Sequence, residues 1–314
     1  MNLEDIFPQN GIPNTGFDTS TGQSSGRVLN KDGSSNVIKT GLTYFQRISL
    51  FHTLIEMPTW LFFVVINVFF VLLNLVFGGF YFLLGPQGLA MPEVSSEFER
   101  FLNCFYFSTQ TITTVGYGQI HPASPIANFV ASFEALLGWV AFAVMTGLIY
   151  GRFAKPRAYL LFSRNALIAP HKNGQALMFR MAPYKNNNLT EAEVLINVSF
   201  RIYQNDRVVN KFLPLRAEIG KISSMPLNWT VVHPIDENSP LYGMCKEDYE
   251  INQTEVMVFV KAFDEHFSNV VQQRTSYWFD EIVHGAKFVQ MFRQSDDQKT
   301  TVLELDKLDD YVPA

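Results

Sequence analysis

Cysteine is nearly missing from this sequence: among 314 residues only Cys104 and Cys245 carry a thiol. Two thiols cannot build the disulfide framework that staples a small secreted domain. A basic stripe is missing too, and the net charge is −5. Nucleic acid is therefore not an expected partner, because binding it requires a strong positive surface that displaces counterions. The opening run MNLEDIFPQNGIPNTGFDTSTGQSSGRVLNKDG lacks the apolar centre of a signal peptide. Polar and rich in Gly, Ser, Thr and Asn, residues 1–43 read as a flexible tail. His171, His233, His266 and His284 are scattered, with no metal-ligand spacing to either cysteine, and neither a phosphate loop nor a nucleophile elbow is present. Enzymatic chemistry and a bound cofactor are not expected.

Charge is absent altogether from Met57 to Pro92, and the 29 phenylalanines crowd a composition that is 47% hydrophobic and 14% aromatic. That is too apolar for an ordinary soluble protein. Residues 59–84 exceed the roughly 20 residues needed to cross a bilayer. A second span reads over residues 124–153, with Glu134 its only charge before Arg152 and an opening Ser-Pro suited to an N-cap and first turn. Lys39 and Arg47 precede the first span, and Arg152, Lys155, Arg157 and Arg164 follow the second. The basic excess puts both termini in the cytoplasm and the chain in the cell membrane. Cys104 then lies in or beside the bilayer and Cys245 inside the cell, so no structural disulfide is expected. Residues 44–57 (YFQRISLFHTLIEM) place apolar side chains at helical spacing, as an interfacial helix along the inner leaflet would. A simple extension of the first span is the alternative, against which Pro58 favours a break.

Between the spans, Ser96 and Glu99 have capping-box spacing and an apolar face follows. Residues 97–111 make only about four turns at 1.5 Å per residue, too short to cross. The segment reads as a re-entrant half helix, and irregular backbone after it at membrane depth is allowed only where protein or a water-filled cavity satisfies it. That irregular run is Thr114, Val115, Gly116, Tyr117 and Gly118. Glycine permits backbone angles closed to other residues, so successive carbonyls can face one side. Four such strands around one axis form rings of oxygens that replace the water shell of a potassium ion, the Thr114 hydroxyl adding the innermost ring. One chain supplies a quarter of each ring, so the chemistry asks for a homotetramer. Val115 and Tyr117 are expected to turn away from the axis and pack against the half helix, whose negative C-terminal end favours a cation.

The run TTVGYGQIHP, the inner-helix ending GRFAKPRA, then LFSRNALIA and later VVHPIDENSPLYG together resemble the inward-rectifier potassium channel family, most closely its prokaryotic, KirBac-like branch. The likeness extends from about Tyr44 to Phe292. The filter run by itself indicates only a potassium channel, whereas HPIDENSPLY and RFAKPRA are specific to this family.

The resemblance implies roles at particular positions. A ring of bulky residues forms the family's gate, and Tyr150 stands at that place, where an aromatic closes the pore by dewetting; a membrane-interface tyrosine reads there as well. Strong rectifiers carry an acid halfway down the inner helix, but the matching cavity-lining residue here is Phe142, so strong intrinsic rectification is not expected. Relatives commonly brace the filter with a glutamate four residues before its threonine; this chain has Gln110, with Gln119 beyond the filter, a pair able to hydrogen-bond where others use charge. Glu134, the one intramembrane acid, must be paired or line water and is expected to bond the filter surroundings. Gly138 and Gly147 could bend the inner helix or let neighbours pack closely. In the family, anionic phosphoinositides act where Arg47, Arg152, Lys155 and Arg157 cluster, each basic residue attracting anionic lipid by about 1 kcal/mol; the ordinary positive-inside bias accounts for these charges equally well.

Beyond Lys155 the period changes. Val194, Ile196, Val198, Phe200 and Ile202 alternate with more polar neighbours, a half-buried strand, and several more strand-like runs follow. Many short strands indicate a β-sandwich, which the resemblance makes immunoglobulin-like and fourfold around the pore, over residues 155–295 with a tail at 296–314. Glu265 matches an acid lining the cytoplasmic pore, though an exposed loop acid reads equally; Lys221 stands where strong rectifiers place another acid. The expected protein is thus an α-helical pore domain (residues 58–154) followed by an all-β domain, conducting potassium as a homotetramer in contact with anionic phospholipids. A channel opened by a cytosolic ligand and a membrane-anchored binding protein with a degenerate pore are the rival readings.

Overall fold

The computed structural model describes residues 26–41, 43, 49–185, 187–204 and 207–314. Residues 40–155 form one compact unit; the described residues before 40 join residues 156–314 in the other.

The first unit is helical. α1 (Leu50–Glu56) is capped by the Ser49 hydroxyl, which accepts from the His52 amide. The rest of the expected interfacial helix, residues 44–48 with Arg47 among them, lies outside the described residues. α2 (Thr59–Leu83) and α4 (Pro125–Phe153) are long and apolar enough to cross a membrane, about 37 Å and 43 Å at 1.5 Å per residue. Each turns apolar side chains outward, Trp60, Phe69 and Leu72 on α2 and Phe129, Leu136 and Trp139 on α4, as lipid contact or association with further copies would require. α3 (Glu97–Ile112) is the short helix between them. The Ser96 hydroxyl accepts from the Glu99 amide at 3.2 Å, while the Glu99 carboxylate accepts from the amide of Ser95. Arg100 anchors the start of α3 to the end of α2, donating to the Phe82 carbonyl at 3.0 Å. A two-residue pairing of β1 (Leu89–Ala90) with β2 (His121–Pro122) ties together the loops on either side of α3.

The second unit is a sandwich. One sheet orders β11 (Asn269–Trp278), β10 (Glu255–Asp264), β6 (Leu189–Gln204) and β7 (Arg207–Leu215), with β8 (Lys221–Ser224) also on β6; the other orders β12 (Ile282–His284), β4 (Ala166–His171), β5 (Gly174–Pro183) and β3 (Leu160–Phe162), with β9 (Trp229–Ile235) on β5. Alternate residues of each strand face the space between the sheets. Val194, Ile196, Val198 and Phe200 of β6 are buried with Val256 and Val258 of β10 against Leu177 and Phe179 of β5 and Val231 of β9. The intervening Leu195 is exposed, as a period of two dictates.

Both expected tails are partly folded. At the C-terminus, β14 (Phe292–Gln294) pairs with β15 (Thr301–Leu303), and β13 (Ala286–Phe288) with β16 (Tyr311–Pro313). Leu308 is buried beside Ala182 and Met291, with Leu303 and Leu305 packed on them. That spaced set of leucines gives residues 296–314 an apolar side to bury, which a solvated tail would not have. At the other end, Leu29 bridges to Ser35 and is buried with Phe212 and Met257. The amides of Val28 and Leu29 donate to the Glu255 carboxylate at 2.7 and 2.9 Å, and Arg27 pairs with Glu281 at 2.7 Å. A short helix, α5 (Lys246–Ile251), lies between β9 and β10.

Candidate functional site

α3 delivers the chain directly into the run at 114–118. Its last threonines, Thr109, Thr111 and Thr113, donate their hydroxyls to carbonyls four residues back, and the Thr113 amide closes on Thr109. The helix then stops because Thr114 has φ +59°, Gly116 φ +52° and Gly118 φ +82°. Val115 and Tyr117 between them are not in the positive-φ region. Left-handed and ordinary backbone thus alternate residue by residue, the pattern that turns successive carbonyls to one side rather than to opposite sides as in a strand. A Cβ at Gly116 or Gly118 would meet nothing within 4 Å, so the backbone angle, and not space in this protomer, is what calls for glycine.

Val115 and Tyr117 depart from expectation. They are 53% and 80% exposed in the single chain, not buried against their own half helix. Nor do the two glutamines meet: among the described residues no hydrogen bond joins the side chains of Gln110 and Gln119, and Gln110 contributes its carbonyl, which accepts from the Val115 amide at 3.0 Å.

Glu134 makes its contacts in this region with α2 and α3. It is fully buried, as are Asn74 and Ser108. Tyr81 on α2 donates to Glu134 Oε2 at 2.5 Å; Ser108 Oγ on α3 lies 2.5 Å from Glu134 Oε1 and 3.0 Å from Asn74 Oδ1. The Tyr81 ring meets Phe107 edge-on at 5.0 Å. Tyr81, Asn74 and Ser108 were not singled out in the sequence, although polar residues at membrane depth that must find partners are a signal for them. Glycine completes the packing: a Cβ on Gly78 would stand 3.0 Å from Phe105 Cα, and one on Gly138 2.5 Å from Ile112 O, whereas Gly147 meets nothing within 4 Å.

Arg152, expected among lipid-facing charges, is spent on protein. Nη1 donates to the Leu54 and Ile55 carbonyls at 2.7 and 3.0 Å, and Nη2 to Met57 O at 2.9 Å and Thr59 Oγ1 at 3.2 Å. The guanidinium also sits 4.6 Å from the Phe62 ring centre. α1 ends with unsatisfied carbonyls, and a planar fork of donors reaches several at once. Lys155 pairs with Glu56 at 2.7 Å and keeps much of its exposure; Arg157 is exposed.

Sequence comparison places this geometry in a family. A family model described as the inward rectifier potassium channel C-terminal domain matches residues 160–312, and one described as an ion channel matches residues 68–155. The inward rectifier potassium channel Kirbac3.1 of Paramagnetospirillum magnetotacticum is 34% identical over 270 residues, covering 85% of this chain and 89% of its own. The chain belongs to the inward rectifier potassium channel family. ATP-sensitive inward rectifier potassium channel 12 of Homo sapiens is 27% identical over 216 residues, 64% of this chain and 49% of the human one. The sporulation control protein Spo0M of Bacillus subtilis aligns over 41% of this chain at a TM-score of 0.24, too low to bear on the fold. Resemblance to the prokaryotic branch of the inward rectifiers is thus borne out, and with it a membrane pore of two spans and a half helix followed by a β domain.

Within this inward rectifier, Phe142, Thr146 and Tyr150 follow one another at four-residue intervals on α4, each exposed within the single chain. Glu265 sits at the β10–β11 turn, exposed, its Oε2 accepting from Asn188 at 2.6 Å. Lys221 is paired with Glu191, which raises the pKa of its ammonium. The motif HPIDENSPLY runs from the last three residues of β9 into a turn held by His233, whose Nδ1 donates to Arg216 O at 2.7 Å and whose Nε2 accepts from Ser239 at 2.8 Å. Burial lowers the pKa of His233, as it does that of His284, so both rings favour the neutral form. In the docked N-terminal segment burial pulls Lys31 down to about 8, against the attraction of Glu281, and pushes Glu255 up against the amides it accepts.

Proposed function

We propose that this chain is one quarter of a homotetrameric, potassium-selective channel in which Thr114, Val115, Gly116, Tyr117 and Gly118 coordinate the permeant ion. The observation that carries the reading is the alternation of positive φ at Thr114, Gly116 and Gly118 at the C-terminal end of a half helix. Carbonyls aligned on one side can replace a potassium hydration shell only when four chains surround one axis. The same assembly explains why Val115 and Tyr117 are bare in one chain: their partners belong to a neighbouring copy.

Conduction is passive, with both termini cytoplasmic. Tyr150 closes the pore near the cytoplasmic end of α4, and Phe142, an uncharged cavity residue, makes intrinsic rectification weak by giving magnesium or polyamines no acid to hold. Glu265 lines the cytoplasmic vestibule. Lys155 and Arg157, with Arg47, meet anionic phospholipid head groups; Arg152 acts through the end of α1 instead.

Potassium against sodium flux in proteoliposomes tests the reading. Potassium-selective flux blocked by barium and abolished in Gly116→Ala is expected; flux that ignores the choice of cation, or survives that substitution, overturns it.

A further inference from the structure

The hydrogens of the buried chain Tyr81, Glu134, Ser108, Asn74 can be counted. Asn74 Nδ2 donates to the Phe70 carbonyl at 2.7 Å, which leaves Oδ1 as the atom facing Ser108 Oγ, 3.0 Å away. An amide oxygen has no hydrogen to give, so the proton in that contact is the hydroxyl proton of Ser108. A hydroxyl has only one. Ser108 Oγ nevertheless lies 2.5 Å from Glu134 Oε1, and with the serine proton turned to Asn74 the proton of this second contact comes from the carboxyl group. At the other end Glu134 Oε2 accepts from Tyr81.

We infer that Glu134 is held as the neutral acid, donating to Ser108, and that Tyr81, Ser108 and Asn74 are positioning residues of the filter that act through α3. The ionised alternative sends the Ser108 proton to Glu134, sets Asn74 Oδ1 against a lone pair, and buries a carboxylate with no cation beside it among the described residues. The neutral form satisfies every oxygen of the chain and buries no charge.

The arrangement has a direction. Protons run from α4 to α3 to α2, and only one rotational setting of α3 presents Ser108 between its donor and its acceptor. Ser108 lies one turn before Ile112, the last residue of α3, so that setting fixes where Thr114 begins. In the proposed tetramer four neutral acids would surround the filter and add no negative charge to it. The consequence for selectivity rests on the filter reading above; the proton on Glu134 does not.

Two measurements on the full-length protein in proteoliposomes test this. In the infrared difference between wild type and Glu134→Gln at neutral pH, a protonated-carboxyl C=O band present only in the wild type is expected. A carboxylate band in its place overturns the inference, whatever the flux assay shows. In the flux assay Glu134→Gln retains a donor toward Ser108 and an acceptor toward Tyr81, so its potassium-over-sodium ratio should stay within about twofold of wild type, while Glu134→Ala and Ser108→Ala fall by about tenfold, the scale of one lost buried hydrogen bond. Glu134→Gln falling as far as Glu134→Ala would show that charge, not the hydrogen-bond pattern, is what matters. If Glu134→Ala does not assemble, Ser108→Ala, which removes a single oxygen, decides between positioning and no role. A wild type without cation selectivity would overturn the filter reading and leave the infrared result standing.

Discussion

Gly138 of α4 lies against Ile112, the last residue of α3, so closely that a Cβ on the glycine would stand 2.5 Å from the Ile112 carbonyl oxygen and 3.0 Å from its Cα. The inner span and the half helix touch backbone to backbone immediately before the Thr114–Gly118 run. Gly138→Ala must push α3 aside, at an overpacking cost of about 1–3 kcal/mol. Reduced potassium selectivity and a less heat-stable assembly are expected, read by flux and by thermal melting of the detergent-solubilised protein. Gly147→Ala, with nothing within 4 Å in the protomer, should leave the cation preference intact.

Arg152 makes a different kind of prediction. Its charge is kept in Arg152→Lys, yet an ammonium cannot span the carbonyls of Leu54, Ile55 and Met57 together. Loss of hydrogen bonds from a charged donor costs about 1.5–3 kcal/mol. Faster deuterium exchange of the α1 amides in Arg152→Lys is the expected result. Unchanged exchange, with weakened binding to anionic vesicles, would return Arg152 to a lipid role.

His233 makes the β domain acid-sensitive. Its pKa lies below the ordinary 6.5, through burial first, with the Arg216 carbonyl and Asp236 opposing. As pH falls through 6.5 the unfolded chain takes up a proton that the folded ring still refuses. Stability is therefore full above that value and declines below it, by at most about 1.4 kcal/mol per pH unit for one group. His284 contributes with the same sign. Melting temperatures between pH 7 and pH 5 should fall less steeply in His233→Gln than in wild type, even though the variant starts lower.

The docking of the N-terminal segment rests on Glu255, which receives the amides of Val28 and Leu29. In Glu255→Gln one of the two acceptor oxygens becomes a donor that faces an N–H. Trypsin cleavage after Arg27 and Lys31 is expected to accelerate about tenfold, the scale of one lost buried hydrogen bond, with Glu255→Asp intermediate. Equal cleavage rates would show that the Arg27–Glu281 pair holds the segment without Glu255.

Much of the architecture was legible because its signals are local. Uncharged length marks a span, a cap followed by a short apolar face marks a half helix, and alternation marks a strand; α2, α3, α4 and β6 declare themselves in this way. The folded tails were not legible, since Val28 and Leu29 at one end and Leu303, Leu305 and Leu308 at the other are few and set among polar residues, and only the cores they join give them meaning. Gln110 and Gln119 invited a pairing by analogy with charges elsewhere, but among the described residues no hydrogen bond joins their side chains within the protomer.

Chain chemistry by itself determined that two helices are long and apolar enough to cross a membrane, that a glycine-bearing run lies between them, and that an acid is stranded in the second. Those properties depend on residue type and spacing along one segment. Only the tertiary structure decided which groups the acid meets. Asn74, Tyr81, Ser108 and Glu134 come from three helices, and whether a buried carboxyl is charged or neutral depends on which donors and acceptors surround it. Likewise Arg152 read as one of a group of surface charges until the open carbonyls at the end of α1, nearly a hundred residues earlier, turned out to be its partners.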